Sequence, residues 1–86
     1  MPVISRFLGI AIVMLYNDHA PPHFHARCGG EEAMIDIQFA RLLKGRLPII
    51  KLDAVLEWTT LHQAELMANW QRIERGEPAK PIEPLK

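Results

Sequence analysis

The stretch Asp18-His-Ala-Pro-Pro-His-Phe-His-Ala-Arg27 decides how the rest of the chain is interpreted. Its two consecutive prolines hold φ at about −65° and favour extended backbone, so the chain reaches His23 close to strand geometry. Side chains alternate along a strand. We therefore expect His23, His25 and Arg27 on one polar face, and the residues between them in the core: Phe24, Ala26 and Cys28.

The dipeptide Gly29-Gly30 predicts a two-residue hairpin turn, because glycine adopts positive φ without a steric penalty. The turn places Cys28 opposite Glu31 and fixes each later pair. The predicted pairs are Arg27 with Glu32, Ala26 with Ala33, His25 with Met34, Phe24 with Ile35, and His23 with Asp36. A shift of one residue would move Asp36 and the histidines into the core, so the pattern favours this register.

The segment before the hairpin, Gly9-Ile-Ala-Ile-Val-Met-Leu-Tyr16, is rich in β-branched and apolar residues and predicts a strand. Both of its faces are apolar, and one helix can cover only one of them. The second face, made by Ala11, Val13 and Leu15, is thus expected either to be buried in a central strand or to form a homodimer or partner surface. Residues 1–7 are expected to form only a short lead.

After the hairpin, residues 39–45 predict a short fourth strand ending at Gly45. Pro48 suits a first helical turn, and apolar side chains then recur every three or four residues as far as Ile73. Gly76 predicts the end of this helix. A polar gap at 59–63, where Thr60 and Gln63 have capping-box spacing, predicts a kink or break.

These elements predict an α+β fold. Three or four antiparallel strands are followed by a long C-terminal helix, kinked or broken, and residues 1–76 form one domain. Residues 77–86 carry three prolines and are expected to form an extended, polyproline-like tail that either folds back over the core or binds a partner.

Charge and composition exclude several functional classes. Ten basic and ten acidic residues cancel, so DNA binding is not expected, and RNA binding would require a local basic patch. One cysteine rules out an internal disulfide, and no signal-peptide pattern is present. The apolar run 7–16 is far shorter than the roughly 20 residues that a membrane helix needs. We expect a cytoplasmic protein with no membrane role and a shallow surface site.

The histidine cluster supports two chemical hypotheses. In the first, His23 and His25 are a general acid and base, Asp36 orients His23, and Arg27 neutralises a phosphate, as in a metal-independent ribonuclease. In the second, His23 and His25 bind zinc or a similar ion, because imidazole and carboxylate suit such metals. His19 is the expected third ligand, with Asp18 and Asp36 as other candidates.

Two further hypotheses involve neither catalysis nor metal binding. The polar face can be a protein contact surface built from the following side chains: Asp18, His19, Arg27, Met34 and Tyr16. Alternatively, these are exposed strand residues with a hydrogen bond between His23 and Asp36 and a weak surface ion pair between Arg27 and Glu32. No cofactor other than a metal ion is expected. The neutral charge balance favours binding over catalysis.

Several motifs are similar to those of a known family of small proteins. They are Pro2-x-Ile4-Ser5-x-Phe7-x-Gly9-Ile10, Asp18-His19-x-Pro21-Pro22-His23-Phe24-His25-Ala26, Gly45-x-Leu47-Pro48, and Glu57-Trp58 with His62, Leu66 and Asn69-Trp70. Together they resemble stand-alone bacterial domains of unknown function that are often encoded in toxin–antitoxin-like gene pairs. The resemblance implies a protein partner encoded nearby, and a component of a two-protein module is our leading functional prediction.

A weaker resemblance concerns the order of elements. The predicted order is similar to that of small ribonuclease toxins with a double-stranded-RNA-binding type of fold. In this order, a strand with a histidine is followed by a glycine turn, a second strand, Gly-x-Leu and a helix. This resemblance implies the ribonuclease alternative, with His23 and His25 as its catalytic residues.

Overall fold

A computed structural model describes residues 3–16 and 18–86. Within them lie five strands and two helices, which follow one another in the order β1 (Val3–Phe7), β2 (Ile10–Val13), β3 (His23–Cys28), β4 (Glu31–Asp36), β5 (Arg41–Gly45), α1 (Ile49–Leu61) and α2 (Gln63–Glu74). Each strand pairs with the next in an antiparallel meander of order β1-β2-β3-β4-β5. The α+β class, with strands first and helices last, is confirmed.

The central hairpin has the predicted register at every pair. Cys28 lies opposite Glu31, His25 opposite Met34, and His23 opposite Asp36. Gly29 takes the positive φ of 60° that the tight turn requires. Phe24 on the other face is fully buried, so the hairpin separates an apolar core face from a polar face, as the sequence predicts.

The sheet has five strands, not the predicted three or four, because the expected lead contains β1. Met1 and Pro2 lie outside the described residues, but residues 3–7 pair with β2. The register shifts between Val3 and Ser5, so Ile4 and Ser5 are both buried although they are neighbours. Such a bulge interrupts strict alternation, and a period-two pattern therefore does not detect this strand.

The second apolar face of β2 is largely covered within the single chain. Val13 is only 2 % exposed, while Ala11 and Leu15 are half-buried. Val13 lies between Val3 of β1 and His25 of β3, so β2 is a central strand. Little of the Val13 side chain remains for a homodimer or another partner to contact.

The predicted long helix is two helices that meet at His62, where φ is −125°. The predicted capping box does not form, because the N-cap of α2 is His62 and Thr60 still belongs to α1, where its hydroxyl donates to the Leu56 carbonyl one turn back, at 3.1 Å. Thr59 donates in the same way to Val55, at 2.7 Å. Two successive threonines bonded to preceding carbonyls disturb the helix at the predicted polar gap.

The helices and the tail close one core against the sheet. Its fully buried side chains include Trp58, Phe24, Ile35, Val55 and Leu66. The tail folds back over this core: Ile82 is 5 % exposed, and its backbone N–H donates to the Ile4 carbonyl at 2.8 Å. No helix in the described part of the chain is long and apolar enough to cross a membrane.

Candidate metal centre

His23 and His25 lie next to each other on the polar face of β3, as strand alternation requires. Their ring centroids are 5.2 Å apart in an edge-to-face arrangement, and the Trp70 ring of α2 lies 5.2 Å from the His23 ring. Both histidines are almost fully buried, at 4 % and 6 % exposure. This burial, in a chain whose other two histidines are more exposed, sets the pair apart.

Asp18 connects the two rings. Its Oδ2 atom lies 3.0 Å from Nε2 of His23 and 3.1 Å from Nε2 of His25. The loop before β3 folds back so that Asp18 lies beside His23 and His25. One acidic and two imidazole ligand atoms therefore converge, all within 4.8 Å of one another.

The outer ring nitrogens identify which atoms carry the protons. Nδ1 of His23 is 2.7 Å from the Pro21 carbonyl, which can only accept, so this nitrogen donates. Nδ1 of His25 is 3.0 Å from Oε2 of Glu32 and donates to that carboxylate. In the neutral ring, one nitrogen that donates leaves the other as an acceptor. When both rings are neutral, the lone pairs of both Nε2 atoms point at Asp18; when a ring carries a second proton, its Nε2 donates to Asp18 instead.

Three acceptors that face one another repel unless a positive species lies between them. A proton on each Nε2 or a shared metal cation can provide the positive charge. Burial raises the pKa of the Asp18 carboxyl, but the hydrogen bond with His25 and the charge of His23 outweigh it and hold the pKa below the ordinary 3.8. Asp18 is thus ionised at neutral pH and able to bind a cation.

Glu32 supports His25 from the other side. Its second oxygen accepts a hydrogen bond from Nε of Arg27 at 2.6 Å. Burial by itself raises the pKa of the Glu32 carboxyl. The hydrogen bonds from Arg27 and His25, together with their charges, have the larger and opposite effect, so this pKa lies below its ordinary value of 4.5. An ionised carboxylate on Nδ1 is the usual partner of a metal-binding histidine, since it fixes the tautomer and makes Nε2 more basic.

The predicted site residues do not all meet here. His19 and Tyr16 are exposed, so Asp18 and not His19 joins the two histidines. Asp36 lies opposite His23 in the sheet, yet its Oδ1 accepts the backbone N–H of Phe39. The expected hydrogen bond between Asp36 and His23 is not formed.

Met34 and Arg27 lie on the same face as the histidines. Met34 is half-buried opposite His25 and lines a shallow cavity of about 310 Å³ with the following residues: His25, Glu32, Lys44 and Gly45. The role of Glu32 is missing from the sequence prediction, which paired it with Arg27 alone. The predicted register nevertheless places Glu32 diagonally across from His25, a distance that a glutamate side chain spans.

The comparisons with known proteins identify a family but no characterised relative. The family model described as "Domain of unknown function (DUF4160)" matches residues 9–71. This range contains the histidine cluster, Asp18 and Glu32. No curated protein matches the chain, and no solved structure matches it.

Proposed function

We propose that this chain, which belongs to the DUF4160 family of domains of unknown function, binds one divalent transition-metal ion such as zinc between Asp18, His23 and His25. The observation that carries the proposal is the convergence of three acceptors on one point. Both Nδ1 atoms have acceptors of their own, at Pro21 and Glu32, so a metal ion can replace a proton between Asp18 and the two Nε2 atoms without disturbing these outer hydrogen bonds.

The distances support zinc coordination. Zinc bonds to histidine nitrogen at about 2.0–2.1 Å and to carboxylate oxygen at about 2.0–2.2 Å, so tetrahedral neighbours lie roughly 3.3 Å apart. The observed separations of 3.0 and 3.1 Å between Asp18 and the two rings are hydrogen-bond distances that are also close to this value, and all three ligand atoms lie within 4.8 Å of one another. Small side-chain movements would therefore be enough to admit the ion.

Three protein ligands are typical of metal sites that keep one position open. In such sites the fourth position holds water or a substrate, whereas structural zinc sites usually have four protein ligands. Two histidines and one carboxylate also match the ligand set of non-haem iron(II) sites. The chemistry of the donors thus favours a reactive metal over a purely structural one.

Calorimetric zinc titration tests the proposal. We expect one ion per chain for the wild type, and no such binding for the His23→Ala, His25→Ala double variant. His19→Ala and His62→Ala are matched controls, because both histidines lie outside the cluster, and these variants should bind like the wild type. Equal affinity in the double variant would place any metal elsewhere and refute the proposal.

The metal-independent ribonuclease has less support. General acid–base catalysis by His23 or His25 requires a ring nitrogen within reach of a ribose hydroxyl. All four ring nitrogens already have partners within the chain, and the rings are nearly inaccessible. RNA cleavage in the presence of a chelator, lost in both single alanine variants, would favour this alternative.

A role in a two-protein, toxin–antitoxin-like module is our second proposal. The observation that favours it is a set of exposed large apolar side chains, some adjacent in sequence: Val3, Leu8, Tyr16, Phe39, Leu42, Leu43, Ile49, Ile50 and Leu61. Leu42-Leu43 and Ile49-Ile50 are adjacent pairs within this set, and exposed apolar side chains that form a contiguous patch are typical of a partner-binding surface. Co-expression with the product of the neighbouring gene, followed by co-purification and growth assays, tests this proposal.

A further inference from the structure

The two edges of the sheet differ in how they are protected. β5 forms one edge, and all five of its residues are exposed. The opposite edge strand, β1, receives the backbone hydrogen bond from Ile82 of the tail, in a segment with prolines at 81 and 84. Unprotected edges pair with other chains. Within residues 3–16 and 18–86, the tail covers β1, whereas no other segment pairs with the outer side of β5, whose protection is limited to a register shift opposite Met34 and Ile35 and to its basic side chains.

The chemistry of β5 is apolar and basic. Leu42 and Leu43 are 38 % and 37 % exposed, and Phe39 just before the strand is 61 % exposed. Residues 39–46 contain three cations and no acidic residue. Arg41 lies over the Phe39 ring, 5.1 Å from its centroid, and Lys44 has no ion-pair partner among the described residues. Arg46 pairs with Glu31 at 2.9 Å and Arg41 lies opposite Asp36, so the edge combines exposed leucines with one cation that is unpaired in the described part of the chain, Lys44, and a second basic side chain at Arg41.

We propose that β5 is the docking edge for an extended segment of a partner protein in which acidic and apolar side chains alternate. Such a segment adds a sixth strand, so that main-chain hydrogen bonds supply affinity and side chains supply specificity. The register shift places Arg41 and Lys44 on one face of β5, opposite Asp36 and Met34, so the carboxylates of the segment lie beside them and its apolar side chains cover Leu42 on the other face. A second copy of the chain fits less well, since two paired β5 strands bring like charges together.

The proposal is tested by peptide display. Peptides that bind the immobilised full chain are selected from a library of random ten-residue sequences. We expect the enriched peptides to be rich in acidic and β-branched residues, and we expect a bound peptide to slow amide hydrogen exchange in β5. Enrichment without acidic bias, protection in another element, or no enrichment would each overturn the proposal. Protection of β5 that grows with protein concentration alone would identify a second copy as the occupant and overturn it too.

Charge reversal provides the matched variants. Arg41→Glu combined with Lys44→Glu should weaken the best peptide on the order of tenfold, because it replaces two favourable charge pairs with repulsive ones. Arg6→Glu reverses one charge at an exposed position of β1, at the other edge of the sheet, and should leave affinity unchanged. All these positions are exposed, but Arg41 lies opposite Asp36 and Lys44 lies near Glu32, so circular dichroism and urea unfolding are used to verify that each variant keeps the fold, and Arg41→Gln combined with Lys44→Gln removes the charges without creating repulsive pairs. Equal weakening by the β1 and β5 charge reversals would refute docking at β5.

Discussion

Glu32 accepts hydrogen bonds from both His25 and Arg27, so one side chain links the candidate metal ligand to a fixed positive charge. Replacing Glu32 by Gln keeps the size of the side chain but removes the negative charge that makes His25 basic. We predict a 10- to 100-fold loss of zinc affinity, the usual effect of losing such a partner. Glu31→Gln is the control, because Glu31 pairs with Arg46 away from the histidines. Equal losses in both variants would contradict the role of Glu32.

Asp18 gives the metal-free protein a specific response to acid. Its pKa is lowered in the folded chain, so the ionised carboxylate stabilises the fold. This contribution is complete above the ordinary pKa of 3.8 and is lost as pH falls through the lowered value. We therefore expect the free energy of unfolding, measured with urea, to fall less between pH 5 and pH 2 in the Asp18→Asn variant than in the wild type. If the stability of Asp18→Asn fell with pH as steeply as that of the wild type, Asp18 would not contribute to acid sensitivity. Asp53→Asn, which changes a carboxylate on α1, is the control.

At the scale of the element, the β3–β4 hairpin could be predicted from sequence in full. A two-residue glycine turn and two chemically distinct faces leave only one register in which polar and apolar residues separate. The first strand could not be predicted, because the register shift at Val3–Ser5 removes the alternation on which such predictions depend. The helix break at His62 was visible as a polar gap, although the capping box was wrong, since Thr60 bonds backwards to Leu56.

The end of β5 provides a test of how closely this sheet is packed. Gly45 has φ of +82°, and a Cβ atom there would lie 2.1 Å from the Glu32 carbonyl oxygen. Gly45→Ala should therefore destabilise the protein by about 2–4 kcal/mol through strain and displacement of β4. Gly29→Ala shares the positive φ but meets nothing within 4 Å, so it should cost only about 1 kcal/mol. Chemical denaturation measures both, and equal costs would contradict the close approach.

At the scale of the whole molecule, the tail is part of the core. Ile82 is buried, and the Trp58 indole N–H donates to the Glu83 carbonyl at 2.7 Å. Ile82→Ala should therefore cost about 2–4 kcal/mol of unfolding free energy, as for other buried isoleucines. Ile50→Ala removes the same atoms from a side chain that is 76 % exposed and should change stability by less than about 0.5 kcal/mol. Similar values for the two variants would show that the tail is not packed in solution.

Only part of the candidate site could be predicted from the sequence. Alternation along β3 was enough to place His23 and His25 on one face, because strand geometry is local. The choice of Asp18 over His19 depends on how the loop before β3 folds back, and neither spacing nor composition determines that path. Asp36 was correctly placed opposite His23, yet its carboxylate accepts the Phe39 N–H of the following turn. Register thus predicts neighbours, while hydrogen-bond partners depend on side-chain direction.

The most direct measurement of the central claim is an anomalous difference map, recorded at the zinc absorption edge from crystals grown with zinc. We predict one strong peak about 2.1 Å from Nε2 of His23, Nε2 of His25 and a carboxylate oxygen of Asp18. We also predict that Nδ1 of His25 keeps its hydrogen bond to Glu32 in the zinc-bound protein. A peak only at His19 or His62 would contradict the proposed site. So would a zinc ion bound at full occupancy elsewhere in the crystal with no peak between Asp18, His23 and His25.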